Sequence, residues 1–388
     1  MQLELSDEQK LIQKTAREFA EKEVKPLARE IDETGRFPRD TIRKAAELGF
    51  TGVYVPERYG GAGLDHISYS LVIEEISRVC ASTGVILSVC NTLFCDPILR
   101  FGTEGQKKKY VTPHARGEKI GCYCLTEPQA GSDAANQKTA AVRQSDCYIL
   151  NGTKAWVTNG TLADTAIVYA MTDPAQAAKG ISAFIVEASF PGWKVVREEK
   201  KMGINATATA EVALQDCQVP RENLLGKEGQ GFKIALRTLD DGRVGIAAQA
   251  TGIAQGAFDE ALKYSQERTA FGQPIATFQA IRFMLADMAT EIEAARLLTR
   301  HAAWLQDCSG LDARAQSGRY TLEASIAKLF ASEMAQRVCH KAVQIHGGYG
   351  YSREYPVERM YRDQRITELY EGTSEIQRLV IARHLLGG

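Results

Sequence analysis

The spacing of apolar positions changes twice along this chain. From Ser6, which forms a capping box with Gln9, the residues Leu11, Ile12, Phe19 and Val24 sustain an amphipathic helix as far as Pro26. Helical character continues to about Glu118. Its interruption at 54–63 is rich in glycine but does not fit G-x-G-x-x-G and has no strand-helix-strand unit around it, so it reads as a loop. From Gly121 the pattern is that of strands: 165–170, 181–186 and 193–196 are short, β-branched and bounded by Gly, Pro, Asn and Asp. They predict a β-domain over 121 to about 228, which leaves through the glycine-rich loop 226–231. Helical spacing then resumes. Phe278, Ile281, Leu285, Met288, Ile292 and Ala295 alternate steps of three and four, a narrow stripe suited to a bundle. A second long helix is predicted over 322–345, with Ile326, Leu329, Phe330, Met334 and Val338 on one side. The polar stretch 307–318 between them reads as a connector projecting into solvent, and Ser374–Leu386 as a last amphipathic helix. There is no internal repeat.

The length exceeds what one core usually serves, so two or three lobes are expected. Lys and Arg number 47 against 48 Asp and Glu, a net charge of −1 that offers no basic footprint for nucleic acid or an anionic membrane. No apolar stretch is expected to reach bilayer-spanning length, and residues 1–7 are neither Arg-rich nor a signal peptide, so the chain reads as soluble and cytoplasmic. The nine cysteines are odd in number, scattered and without a C-x-x-C pair, which points to buried thiols in a reducing compartment. His340 and His346 lie off a common helix face, and no metal site is expected.

Candidate chemistry begins at 369–377, Leu-Tyr-Glu-Gly-Thr-Ser-Glu-Ile-Gln, where Glu371 sits in a turn before the last helix. Flanked by Leu369 and Tyr370, its carboxylate can be partly desolvated and its pKa pushed toward neutrality, which suits a general base. Alternatively it only complements the positive end of the helix. From the turn alone the two readings stand level. A second run, 124–133 (Cys-Leu-Thr-Glu-Pro-Gln-Ala-Gly-Ser-Asp), leads a strand into a hydroxyl-rich turn. Together with 154–160 (Lys-Ala-Trp-Val-Thr-Asn-Gly) and 344–350 (Gln-Ile-His-Gly-Gly-Tyr-Gly), these runs resemble the acyl-CoA dehydrogenase family over essentially the whole chain, closest to its short-chain, butyryl-type branch.

The resemblance implies an α+β, mostly α fold: an N-terminal helical domain at 1–120, a middle β-barrel-like domain at 121–229 and a C-terminal four-helix bundle at 230–388. It implies α,β-dehydrogenation of a short-chain acyl-CoA to the trans-2-enoyl-CoA, with Glu371 taking the α-proton, FAD receiving the β-hydride at N5, and an electron-transferring flavoprotein as acceptor. A branch of the family carries its acid on the first C-terminal helix, where this chain has Gly242, so no rival glutamate is offered. Gly372 leaves room for the thioester. The flavin residues implied are Tyr123, Leu125, Thr126, Gly131, Ser132, Trp156, Val157 and Thr158. Thr373, Ser374 and Glu375 follow at a helix N-terminus suited to pyrophosphate. A neighbouring subunit is implied to supply Arg268, Phe271, Gln279, Gln344, Ile345, Gly347 and Gly348, which makes the homotetramer, a dimer of dimers, part of the function. By composition alone Trp156 reads as a core aromatic and Arg268 as a solvated helix-end cation. Coenzyme A is matched to Ser132, Asp240, Asp241, Gly242 and Arg243, the last having an intrahelical pair with Asp240 as its structural alternative. Phe94 reads either as the floor of the acyl pocket or as part of the helical core. The alternatives are a short branched-chain dehydrogenase and an enoyl-CoA reductase running in reverse. An oxidase is disfavoured by length, a nitroalkane oxidase by Glu371 where that enzyme has aspartate, and a DNA-binding relative by charge.

Overall fold

The Ser6 hydroxyl accepts from the amide of Gln9, whose side chain accepts in return from the amide of Ser6, and α1 (Asp7–Phe19) starts there. The computed structural model describes residues 4–309 and 319–387. The first third is helical: α2 (Ala28–Thr34), α3 (Arg39–Glu47), α4 (His66–Ser77), α5 (Ala81–Ser88), α6 (Asp96–Phe101), α7 (Glu104–Gln106) and α8 (Thr112–Ala115). A π-helical turn, Val89–Cys95, joins α5 to α6, so the backbone is helical throughout Ala81–Phe101. Contrary to expectation, this stretch is long and apolar enough to cross a membrane by length and composition, but all of it is buried inside the fold. It is a core helix of the fold, and its polar residues Asn91, Asp96 and Arg100 are buried with it and bonded internally.

Eight strands follow, β1 (Gly121–Cys124), β2 (Ala140–Arg143), β3 (Cys147–Val157), β4 (Thr165–Met171), β5 (Ile181–Glu187), β6 (Trp193–Glu198), β7 (Ala210–Pro220) and β8 (Leu224–Leu225). They order as β6-β7-β3-β2-β4-β5-β8, with β1 lying parallel on β4. β4 and β5 are buried on both faces, which accounts for their unbroken apolar runs. The register of β3 on β7 shifts between Lys154 and Val157, and Trp156 lies in that bulge with φ +58°.

The chain then enters α9 (Gly231–Glu267), the tiny hairpin β9 (Thr269–Ala270) and β10 (Gln273–Pro274), and the helices α10 (Gln279–Ser309), α11 (Arg319–His346), α12 (Val357–Gln364) and α13 (Ser374–Leu386). α9, α10 and α11 share one core built mainly from alanine, with Met288, Ile292, Met334 and Val338. Small residues let the helices approach closely.

Four expectations change. The buried face of α11 is Ala324, Ala327, Ala331, Ala335 and Ala342 with Met334 and Val338, while Ile326, Leu329 and Phe330 lie half-buried beside it. α13 is not amphipathic: Leu379, Leu385 and Leu386 are exposed, and its buried residues are Ser374 and Gln377. The connector starts later, because α10 runs through Ser309 and Asp307 accepts from the amide of His66 at 2.8 Å, tying the helix end to the N-terminal domain. Residues 310–318 of that connector lie outside those described. Two cysteines are not buried, since Cys147 is half-exposed and Cys308 exposed.

Candidate active site

Glu371 lies near the end of the link 365–373 between α12 and α13. Its φ is +52° and that of Gly372 is +90°, two left-handed residues in succession, a geometry that costs an ordinary residue about 1–2 kcal/mol. Side chains hold it in place. Gln377 donates to the carbonyls of Glu371 (3.1 Å) and Gly372 (2.9 Å), and Lys328 Nζ on α11 donates to Gly372 at 2.7 Å. Thr373 caps α13 by accepting from the amide of Ile376, while the buried Ser374 hydroxyl has no partner.

The Glu371 carboxylate points at α9. A Cβ on Gly242 would fall inside it, overlapping Oε2, and would stand 3.2 Å from Leu93 Cδ2. Oε2 is inaccessible and has no hydrogen-bond partner. Burial raises the pKa of Glu371 to about 7, against the opposing pull of Lys328 and Arg243. Burial likewise lowers Lys328 to about 7, against the charge of Glu371. One turn beyond Gly242, the place of a Cβ on Gly245 is taken by the Tyr69 hydroxyl and Ser88 Oγ, themselves 2.9 Å apart. Farther along α9, Gln249 accepts from the Tyr370 hydroxyl and donates to the carbonyl of Ala81 at 3.0 Å. None of Leu93, Tyr69, Gln249 or Lys328 was visible as a site residue from the sequence, because they come from four separate helical elements.

Phe94 takes the second of its two expected places, in a core. It is fully buried, its ring 4.1 Å from that of His114 and packed under Gly121 of β1, so it belongs to the core between the helical domain and the sheet. The neighbouring Leu93 is the residue that reaches Gly242.

The second cluster surrounds the β3 bulge. Ala155 donates to the carbonyl of Thr126 at 2.9 Å, which places 123–132 alongside 154–158. Beneath them Lys154, wholly buried, donates to Glu127 (2.8 Å), Gln137 (3.1 Å) and the carbonyl of Leu125 (3.2 Å). Trp156 is 61% exposed, so its indole is not a core aromatic. Thr126 and Thr158 are half-buried, Tyr123 packs edge-on to Tyr169, and Gly131 and Ser132 stand exposed at the loop tip. Leu125 and Val157 turn their side chains into apolar cores and have only backbone to offer here.

A third group forms a cleft of its own, lined by Tyr264, Arg268, Ile345, His346, Gly347 and Gly348, with the Arg268 guanidinium 5.6 Å from the centre of the Tyr349 ring. Neither Trp156 nor Glu371 lines it. Gln279 and Gln344 are exposed, and Phe271, at φ +51°, is 95% exposed.

The α9 residues divide. Asp241 is wholly buried, accepting from Tyr320 (2.6 Å) and Gln306 (2.7 Å) beside Arg100. Asp240 accepts from Arg243 and from Thr321, each at 2.7 Å, so the intrahelical pair is present. Both carboxylates are committed to internal partners. Arg243 Nε remains buried without one.

Three family models cover the chain: "Acyl-CoA dehydrogenase, N-terminal domain" over 6–118, "middle domain" over 122–217 and "C-terminal domain" over 229–386. The chain is 52% identical over 382 residues to the short-chain specific acyl-CoA dehydrogenase of Clostridium acetobutylicum, covering 98% of this chain and 99% of that one. It superposes on butyryl-CoA dehydrogenase from Megasphaera elsdenii with a TM-score of 0.95 at 46% identity, covering all of both chains. A chain from a study of the electron transferring flavoprotein of Acidaminococcus fermentans gives a TM-score of 0.96 at 50% identity, again over the full length of both.

Proposed function

The chain belongs to the acyl-CoA dehydrogenase family of FAD-dependent oxidoreductases, and we propose that its substrates are short, straight-chain acyl-CoA thioesters with Glu371 as the catalytic base. The observation that carries this reading is the Glu371 carboxylate: inaccessible, unbonded at Oε2, facing a glycine, and held at a pKa near 7. A base so poised takes a proton efficiently at neutral pH.

Oε2 takes the α-proton as the Cα–H pair moves to form the double bond. When bound, FAD supplies the two-electron acceptor for the β-hydride, so the thioester leaves as the trans-2-enoyl-CoA. The residues fit a flavin on two observations: the outward-facing Trp156 offers a flat apolar wall between Thr126 and Thr158, and the orphaned Ser374 hydroxyl lies where α13 opens with free amides. Gly372, free of a side chain, leaves the thioester room beside the base. Ser132 and Arg243 are the proposed contacts to coenzyme A. Asp240 acts through Arg243, and Asp241 supports α9 from within.

Three further elements complete the proposal. Short chains are favoured because Tyr69, Ser88 and the Tyr370–Gln249 pair fill the face of α9 just beyond Gly242. A homotetramer is favoured because the Arg268 cleft is separate from Trp156 and Glu371, and the exposed Phe271 and Phe283 await a neighbour. An electron-transferring flavoprotein is the proposed acceptor, on the likeness to the Acidaminococcus chain. Relatives from Clostridium and Bacillus support a cytoplasmic setting.

The test is anaerobic mixing of the yellow protein with acyl-CoA thioesters from C4 to C16. Butyryl-CoA or hexanoyl-CoA should bleach it fastest, with rapid reoxidation by an electron-transferring flavoprotein and slow reoxidation by air. A maximum at C12 or beyond, or with isobutyryl-CoA, would overturn the substrate assignment.

A further inference from the structure

Lys328 has no exposed surface, yet no carboxylate among the described residues bonds to it. Its one described hydrogen bond is to the carbonyl of Gly372, the residue after the proposed base. A neutral donor would satisfy a carbonyl as well. Burying an ammonium there carries an effective penalty of several kcal/mol unless a negative charge compensates. The groups facing Lys328 are Glu371, Arg243 on α9, Glu368 before the turn, and Glu375 on α13. Glu371 in turn faces Lys328 and Arg243. Arg243 already has Asp240 for a partner, which leaves Lys328 as the positive group without a bonded counter-ion of its own beside the base.

The geometry points to Lys328 as a positioning residue: from α11 it pins the left-handed Glu371–Gly372 turn through the Gly372 carbonyl and supplies the charge that keeps the buried carboxylate available as a base. The two tasks are separable. Gln377 shares the mechanical one, because it bonds both carbonyls of the turn. The electrostatic task falls to Lys328 while its own amine, lowered by burial to about 7, is protonated, since Gln377 has no charge to offer. Without Lys328, burial acts on Glu371 opposed by Arg243 alone, and the carboxylate stays protonated to higher pH. This inference rests on the assignment of Glu371 as base.

The experiment compares Lys328→Gln, which keeps a donor but not the charge, with Lys328→Met, which keeps neither, and with Glu371→Gln. Each holoenzyme is followed in two ways: the pH profile of kcat/KM with butyryl-CoA, and the carboxylic C=O stretch of Glu371 in infrared difference spectra taken against Glu371→Gln. Lys328→Gln should move both the acid limb and the infrared titration upward by about one pH unit or more, the usual size of a lost neighbouring charge. Its rate at high pH should fall by less than about tenfold, on the usual worth of a single neutral hydrogen bond. Lys328→Met should show the same shift with a lower plateau. Should the methionine variant not fold, the glutamine variant decides. If Glu371→Gln is inactive while both lysine variants titrate like the parent, the role of Lys328 is overturned and the base stands. If Glu371→Gln keeps a near-normal rate, the base assignment falls and this inference with it.

Discussion

Glu127 and Glu371 each lie near a buried lysine, and their carboxylates have opposite properties. Glu127 accepts from Lys154, Lys138, Thr139 and Gln129, and although burial works to raise its pKa, the Lys154 charge and those bonds hold it at about 2. Glu371 is raised to about 7. Its lysine bonds to a backbone carbonyl instead, and Oε2 has no donor at all. Identical residue types thus make a structural anchor in one place and a candidate base in the other. The bonded Lys154 charge, and after it the hydrogen bonds, outweigh burial at Glu127, whereas at Glu371, with no donor on Oε2, burial prevails. Glu127 ties the loop under Trp156 to β3, whereas Glu371 keeps its electron pair free.

The largest effect that tests this contrast is at Glu371. Glu371→Gln should bleach its flavin with butyryl-CoA at least about a hundredfold more slowly by stopped-flow absorbance, while remaining yellow and assembled. Near-normal reduction would break the contrast and direct attention to Asp240 and Asp241. Lys154→Met should act on stability: stranding a buried carboxylate costs about 3–5 kcal/mol in urea unfolding. The acid limb of kcat/KM should stay where it was, and a displaced limb would mean the anchor also tunes the base. The pH dependences should then run apart. kcat/KM should fall about tenfold per unit below pH 7, because Glu371 must be ionised to act. Glu127, depressed below its unfolded value, stabilises the fold above the ordinary carboxylate range and loses that contribution as pH falls toward 2. The melting temperatures of Glu127→Gln and the parent should therefore converge between about pH 4 and pH 2. Parallel curves would show that the anchor is not ionic. The smallest effect separates both pairs from ordinary core. Phe94→Leu should cost about 1–2 kcal/mol in thermal unfolding and leave the preferred acyl length unchanged in the C4 to C16 panel.

Much of this was legible in the chain. The capping box at Ser6, the switch to strands at Gly121, the return to helices at Gly231 and the start of α13 at Ser374 follow from local periodicity and capping chemistry, which need no knowledge of neighbours. The apolar flanks of Glu371 allowed a raised pKa, but Leu369 is 46% exposed, and the carboxylate is buried against Gly242 of α9 instead. What periodicity cannot supply is which stripe meets which partner. The large residues of α11 suggested its buried face, yet alanines take that place because α9 and α10 come too close for more. The apolar composition of α13 suggested an amphipathic helix, but its leucines are distributed around the axis. Phe94 and Leu93 are adjacent and equally apolar, and only the third dimension sends one to the sheet and the other to Gly242. Lys328 was hidden for the same reason, being a charged residue in a helix whose sequence offers no sign that one of its turns faces another element's carboxylate.

The tight fit of Glu371 against Gly242 also limits how such a protein can evolve. The carboxylate occupies the place of a Cβ at 242, so even a single methyl group there would require the end of the Glu371 side chain to move. An acid arriving at 242 while Glu371 is in place would have to push its carboxylate aside, and losing Glu371 first would remove the proposed base. Either order disturbs the proposed site at its first step. The effect of a substitution at 242 should therefore depend on which residue stands at 371.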